Sequence, residues 1–264
     1  MRRTVDGVTL GYDLEGSGEP LLFLHGFPLH RGMWRPQVAG LRDRFQVLTV
    51  DLRGFGESSV SDQVTLAQLA ADVRALAASL GIARATVIGL SMGGYVAFRL
   101  LEQAPTFATR LVLADTRAEP DTEEGRARRL ALAARVAQEG CEALRDFVGG
   151  LVGPTTRARR PHVVATVEAL AATADPRALA ATLRALAARP DSRPLLSQIT
   201  VPTLVLVGEE DSVTPPEVAR AMAAAIPNSR LIVLPEAGHL SNLETPEAFT
   251  TALHAFLEAT QAEQ

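Results

Sequence analysis

The 264 residues are 47% hydrophobic and 21% charged, with a net charge of −4. That is enough chain for one large α/β domain with an insertion or for two small domains, and it gives no electrostatic case for nucleic acid or an anionic membrane surface as a partner. All 26 basic residues are Arg, which excludes a Schiff-base lysine, a lysine general base and a Walker-type phosphate lysine.

In chain order, Asp6-Gly7 comes before any apolar stretch long enough for a signal peptide, and Thr4-Val5 and Val8-Thr9-Leu10 on either side predict a β-hairpin. Leu21–Leu24 predicts a buried strand, Met33–Leu41 a helix and Phe45–Val50 a strand. Leu66–Leu80 predicts a helix, with apolar residues at Leu66, Leu69, Val73, Leu76 and Leu80. Ala85–Ile88 is a strand, Tyr95–Leu101 continues as a helix, and Arg110–Ala114 is a further strand. This alternation implies a parallel sheet covered by helices on both faces.

From about Arg117 to Leu195 the strand-like runs stop, and Ala, Arg, Leu and Glu recur at helical spacing. Breaks at Gly149-Gly150, Gly153-Pro154 and Asp175-Pro176 divide this stretch into short helices. Its single cysteine, Cys141, excludes an intramolecular disulfide, fits a reducing compartment and reads as a small apolar filler. Alternation then resumes with strand Thr203–Val207, helix Pro216–Ala225, strand Arg230–Leu234 and a closing amphipathic helix Pro246–Leu257. The expected organisation is an α/β core, residues 1–116 and 196–264, carrying a helical cap at 117–195. No run is long and apolar enough to span a bilayer, and a cytoplasmic protein is expected.

The most informative stretch is Gly89-Leu90-Ser91-Met92-Gly93-Gly94, set between a strand and a helix. A G-x-S-x-G in that context is a nucleophile elbow, in which the serine takes a strained backbone conformation and its hydroxyl projects clear of the sheet. Gly89 and Gly93 fit because side chains there would collide. A serine hydroxyl is a poor nucleophile near neutrality, so it needs a general base, and the base needs an orienting acid. After an elbow these follow in the order acid, then histidine, on loops after late strands. Gly208-Glu209-Glu210-Asp211 offers Asp211, and Pro235-Glu236-Ala237-Gly238-His239 offers His239, so Ser91, Asp211 and His239 form the expected triad. Glu209, Glu210 and Asp115 compete with Asp211, Asp115 as understudy at the end of the preceding strand. His254 in the last helix reads as structural and His162, among arginines, as solvated.

An oxyanion hole needs N–H donors where negative charge develops, each worth about 3 kcal/mol of barrier. The Met92 amide, opening a helix, supplies one. The other is expected from His25-Gly26-Phe27-Pro28-Leu29, at the Phe27 amide, since Pro28 has no N–H to donate. His25 reads as a brace for this loop.

His25-Gly26-Phe27-Pro28, Asp51-Leu52-Arg53-Gly54-Phe55-Gly56-Glu57-Ser58, Gly89–Gly94, Gly208–Asp211 and Gly238-His239 occur in family order, and together they resemble the α/β-hydrolase superfamily. The resemblance is to its compact carboxylesterases and 3-oxoadipate enol-lactonase-like members. It covers nearly the whole chain outside the cap and implies a mostly parallel central sheet of about eight strands. In that family Asp51–Ser58 form a structural turn. Ser91 at the elbow excludes the haloalkane dehalogenases and epoxide hydrolases, which carry Asp there; no His-Gly-Gly-Gly loop is present, which argues against bulky tertiary-alcohol esters.

These observations point to a serine carboxylesterase for short-chain acyl or aryl esters, working through an acyl-enzyme with no metal or organic cofactor. Its partner would be a small-molecule ester or lactone, and the protein a monomer or small homo-oligomer. The pocket is expected between elbow and cap, lined by Phe27, Leu29, Trp34, Met92 and Leu240; Trp34 reads equally as ordinary packing. Arg126, Arg128, Arg129, Arg157, Arg159 and Arg160 could hold a substrate carboxylate or be the solvated face of surface helices. The alternatives are a lactonase, a carbon–carbon bond hydrolase of ring-fission products and, outside enzymes, a slow-turnover receptor.

Overall fold

The computed structural model describes residues 1–261. Strands β1 (Arg2–Val5) and β2 (Val8–Glu15) form the expected hairpin, with Val5 opposite Val8. The turn is therefore Asp6-Gly7 alone, at φ of 48° and 79°, the left-handed backbone that a two-residue hairpin favours because it matches the strand twist. Strands β3 (Glu19–Leu24), β4 (Phe45–Val50), β5 (Ala85–Leu90), β6 (Ala108–Ala114), β7 (Thr203–Gly208) and β8 (Ser229–Leu234) follow. They make one sheet of order β1-β2-β4-β3-β5-β6-β7-β8, parallel from β4 to β8. Every residue of β5 and β7 is buried, as expected of strands covered on both faces.

Helices α1 (Arg35–Leu41), α2 (Leu66–Ser79) and α3 (Met92–Gln103) join these strands. The helix expected from Met33 opens instead as a 3₁₀ turn, Arg31–Trp34, and becomes α-helical at Arg35. Pro36 explains the boundary, because its missing N–H is tolerated only in the first turn of an α-helix. α2 starts where Thr65 accepts the Gln68 N–H and Gln68 accepts the Thr65 N–H, a reciprocal cap.

The crossover β3–α1–β4 runs along the sheet in one direction, whereas β4–α2–β5 and β5–α3–β6 run in the other. Right-handed crossovers therefore place α1 on one face and α2 and α3 on the other. The direction reverses between the neighbouring strands β3 and β5, and the crevice beyond the carboxyl ends of strands at such a reversal is where open α/β sheets bind ligands. Phe27 follows β3 and Ser91 follows β5.

Residues 115–202, between β6 and β7, contain no strand. They hold α4 (Glu123–Glu139), α5 (Arg145–Gly149), α6 (Pro154–Arg159), α7 (Pro161–Ala171), α8 (Pro176–Ala187) and α9 (Arg193–Leu196). The anticipated breaks coincide with the end of α5 and the starts of α6 and α8, and α4 packs along α8. α10 (Pro216–Ala225), α11 (Ser241–Glu244) and α12 (Pro246–Gln261) complete the order, with α12 packed on α1. Among the described residues no helix is long and apolar enough to cross a membrane.

Candidate active site

Ser91 sits between β5 and α3 at φ 53° and ψ −112°, a conformation a β-carbon disfavours and the surrounding bonds must hold. They do so on both sides. Its N–H donates to the Ala114 carbonyl (2.9 Å), and its own carbonyl accepts from the Thr116 hydroxyl (2.8 Å) and the Gly94 N–H (2.9 Å). A Cβ on Gly89 would run into the Gly93 carbonyl, and one on Gly93 into the Leu24 carbonyl, so the sequence spaces its glycines for steric reasons.

His239 follows β8 and is buried, with Nε2 2.9 Å from Ser91 Oγ and Nδ1 2.8 Å from Asp211 Oδ2. A carboxylate oxygen can only accept, so Nδ1 carries the proton and Nε2 is left to accept from the serine. Asp211 is itself held in place. Oδ1 accepts the N–H groups of Val213 (2.8 Å) and Thr214 (2.9 Å), and Oδ2 accepts the Thr214 hydroxyl (2.6 Å). Burial works against ionisation of Asp211, but the facing His239 ring and the Thr214 bonds outweigh it and hold its carboxyl below the usual range.

Gly26 passes directly over the elbow, its notional Cβ 3.5 Å from the Ser91 Cβ. Among the described residues neither the Phe27 nor the Met92 backbone N–H has a protein acceptor, and Met92, as the first residue of α3, is one of the helix's unsatisfied donors. The Phe27 ring stands edge-on to Phe55 and to Phe147 of α5, at 6.1 and 5.8 Å between centroids, so the inserted helices reach the loop. The α5–α6 connection and the start of α6 also grip the later segments: Leu151 accepts the His239 N–H (3.0 Å), Glu244 of α11 accepts the Gly153 N–H (2.8 Å) and Glu210 accepts the Thr155 N–H (2.9 Å).

The remaining expectations divide. Leu29 and Leu240 are buried beside the Phe27 and His239 segments. Trp34 packs its fully buried ring against Phe23 (5.0 Å) and Phe249 (6.1 Å), one from the sheet and one from α12, which is the packing reading. His254 bonds the Gly40 carbonyl at 2.8 Å, and His162 is exposed. Of the inserted arginines, Arg126, Arg128, Arg157 and Arg159 are exposed; Arg128 pairs with Glu124, Arg129 with Asp121, and Arg160 with Glu236. Thr214 escaped the sequence reading, although a threonine three residues after an aspartate in a loop is a local turn pattern that could have singled it out. Among the described residues no cluster of His, Cys, Asp and Glu side chains is disposed to hold a metal ion.

His25 braces its loop: Nδ1 donates to the Gly26 carbonyl (3.0 Å) and Nε2 accepts the Leu52 N–H (3.0 Å). Burial pushes it down to about 4. The unfolded chain then takes up this proton below about pH 6.5, while the folded one does not until about 4. Stability is expected to fall across that window, by up to about 3 kcal/mol from this residue. Urea midpoints at pH 7 and pH 4.5 measure it, and in a His25→Asn variant the difference between the two should shrink.

A model of the alpha/beta hydrolase family matches residues 21–252. The chain belongs to that family. As a hydrolase of this fold it is similar to an esterase from Thermogutta terrifontis, at 39% identity and a TM-score of 0.95 with 98% of each chain covered. It is also similar to the enol-lactonase from Burkholderia xenovorans, at 32% identity and a TM-score of 0.91 over 98% of this chain and 100% of that one. The 3-oxoadipate enol-lactonase 1 of Acinetobacter baylyi is 32% identical over 97% of this chain and 95% of its own length.

Proposed function

We propose that this alpha/beta hydrolase is a cytoplasmic serine carboxylesterase for small esters, with Ser91 as nucleophile, His239 as general base and acid, and Asp211 as the acid that orients it. The observation that carries the reading is the bonded path Asp211–His239–Ser91, at 2.8 and 2.9 Å, ending beside the Phe27 and Met92 N–H groups. Ser91 Oγ attacks the ester carbonyl as His239 Nε2 takes its proton. The carbonyl oxygen gains the negative charge, and the two backbone N–H groups stabilise it. The tetrahedral intermediate collapses, the C–O bond breaks, and the alcohol leaves with the proton from His239. Water, deprotonated in turn by His239, attacks the acyl-enzyme; the acid is released and Ser91 recovers its proton. Asp211 stays ionised and stabilises the imidazolium. Residues 117–195 act as the cap, and Phe27, Phe147, Leu29, Met92 and Leu240 are proposed to bound a small apolar pocket suited to short acyl or aryl groups. A ladder of p-nitrophenyl esters from acetate to laurate tests this: turnover should peak at short acyl chains, and negligible turnover on every rung contradicts it.

One observation favours a second reading, a lactonase for carboxylate-bearing rings. A cavity of about 380 Å³ lies between α4, Phe147 and Val213, and Arg117, Arg129 and Arg189 stand in its wall with Asp121. Arg129 and Arg189 share Asp121, and Arg117 donates to the Val213 carbonyl, which leaves the wall net positive. Replacing Arg117 with Met is then expected to lower kcat/KM for a carboxylate-bearing aryl ester or lactone about 10- to 100-fold, the worth of a charge-assisted hydrogen bond, and to lower it far less for neutral esters, which feel only the lost bond to the Val213 carbonyl beside the Asp211 loop. Equal effects on charged and neutral substrates would count against this reading.

A further inference from the structure

Asp115 stands outside the Asp211–His239–Ser91 path, yet it is fully buried and closes β6 at φ 45°. Among the described residues it makes no ion pair. An uncompensated buried carboxylate is costly, and its persistence calls for a role. Its Oδ1 accepts the Gly208 N–H at 2.9 Å, three residues before Asp211. Its Oδ2 accepts the Ser241 hydroxyl at 2.5 Å and the Ser241 N–H at 3.2 Å, two residues after His239. Its neighbours hold the third segment: Ala114 accepts the Ser91 N–H and Thr116 donates to the Ser91 carbonyl. The three consecutive residues 114–116 thus touch the backbone at or beside every member of the proposed triad.

We propose that Ala114-Asp115-Thr116 is the block that sets nucleophile, acid and base in register, and that Asp115 is a positioning residue that ties the acid's loop to the base's loop through one carboxylate. The inference rests on the Ser91–His239–Asp211 reading. The Glu209 and Glu210 N–H groups already bond the Leu234 and Ala237 carbonyls where the two loops leave the sheet; Asp115 adds a side-chain tie between them, and the Asp211–His239 and His239–Ser91 bonds both depend on where those loops end. A carboxylate suits the place because both of its oxygens accept; where β6 leaves the sheet, its side chain takes up a β7 N–H that the ladder no longer serves. Burial, and then the like charge of Asp211, push the Asp115 carboxyl well above the usual range, and the Ser241 hydroxyl and the Gly208 and Ser241 N–H groups pull against them. The site is therefore held by its donors, and losing one is felt directly.

The test is Asp115→Asn. The amide oxygen is expected in the place of Oδ2, where Ser241 offers two donors, and the amide nitrogen then faces the Gly208 N–H, donor against donor, so the acid-side tie alone is lost. The readout is the rate at which a fluorophosphonate modifies Ser91, per folded molecule, beside kcat and KM for p-nitrophenyl butyrate. The modification rate and kcat are both expected to fall about 30-fold, the scale of a sub-ångström to 1 Å misplacement, with KM within about twofold. A wild-type modification rate together with a lower Tm would make Asp115 merely structural and overturn the proposal. If Asp115→Asn does not fold, Ser241→Ala removes only the hydroxyl donor and should slow modification about fivefold, with the rate restored in Ser241→Thr; an unchanged rate in Ser241→Ala would overturn the proposal equally. Wild-type protein that is not modified at Ser91 at all would instead refute the nucleophile assignment, so the two failures are told apart.

Discussion

Ser91→Ala is expected to lower kcat for p-nitrophenyl butyrate by about a million-fold, the scale seen when a triad nucleophile is removed. Without Oγ the proton on the serine has no counterpart, no acyl-enzyme forms, and His239 has nothing to deprotonate except water. Any residual rate is expected from the proposed Phe27 and Met92 N–H donors, which the substitution leaves in place to stabilise charge on the carbonyl oxygen. The fold should survive the change. Alanine has the same β-carbon as serine at φ 53°, and the bonds to Ala114, Gly94 and Thr116 are made by the Ser91 backbone, which the substitution keeps. Melting temperature, followed by circular dichroism, should therefore stay close to that of the wild type while turnover disappears. A variant within tenfold of the wild-type rate would refute the nucleophile assignment.

Asp211→Asn is expected to lower kcat about ten-thousand-fold near neutral pH, and the structure gives a specific reason. Oδ1 accepts two backbone N–H groups, from Val213 and Thr214, so an asparagine must place its oxygen there. Its NH₂ then faces His239 Nδ1, where Oδ2 now stands at 2.8 Å. Two donors cannot share that line. The imidazole must move its proton to Nε2, which then donates toward Ser91 instead of accepting from it. The base is present in the wrong tautomer. Steady-state kinetics read the loss directly; a fall of less than tenfold would shift the orienting role toward Asp115, the other carboxyl behind the site.

The parts of the molecule legible in the sequence were those fixed by local chemistry. The elbow is legible because the tight turn excludes side chains at Gly89 and Gly93, and the hairpin because Asp6-Gly7 can adopt left-handed backbone. Asp211 and His239 could be proposed because each lies in the loop after a readable strand. For the proposed oxyanion donor at Phe27, Pro28 narrows the choice because it has no N–H. Unreadable were contacts between residues far apart in the chain, which leave no periodicity: the bond from Leu151 to His239, the tie from Asp115 to Gly208 and Ser241, and the grip of Glu210 on Thr155. Trp34 was ambiguous for the same reason, because its partners Phe23 and Phe249 lie at opposite ends of the sequence. The arginines of the insertion look alike in the sequence, and only the fold separates Arg189, buried over the Tyr95 ring at 4.8 Å, from Arg128 on the surface.

The central claim is a covalent acyl intermediate on Ser91, and it can be observed directly. Protein mixed with p-nitrophenyl butyrate is quenched in acid within the first turnovers, digested, and its peptides weighed. A mass increase of one butyryl group is expected on the peptide containing Ser91, and in wild type only. Unmodified Ser91 peptide at every quench time, in protein that releases p-nitrophenol at its full rate, would contradict the account.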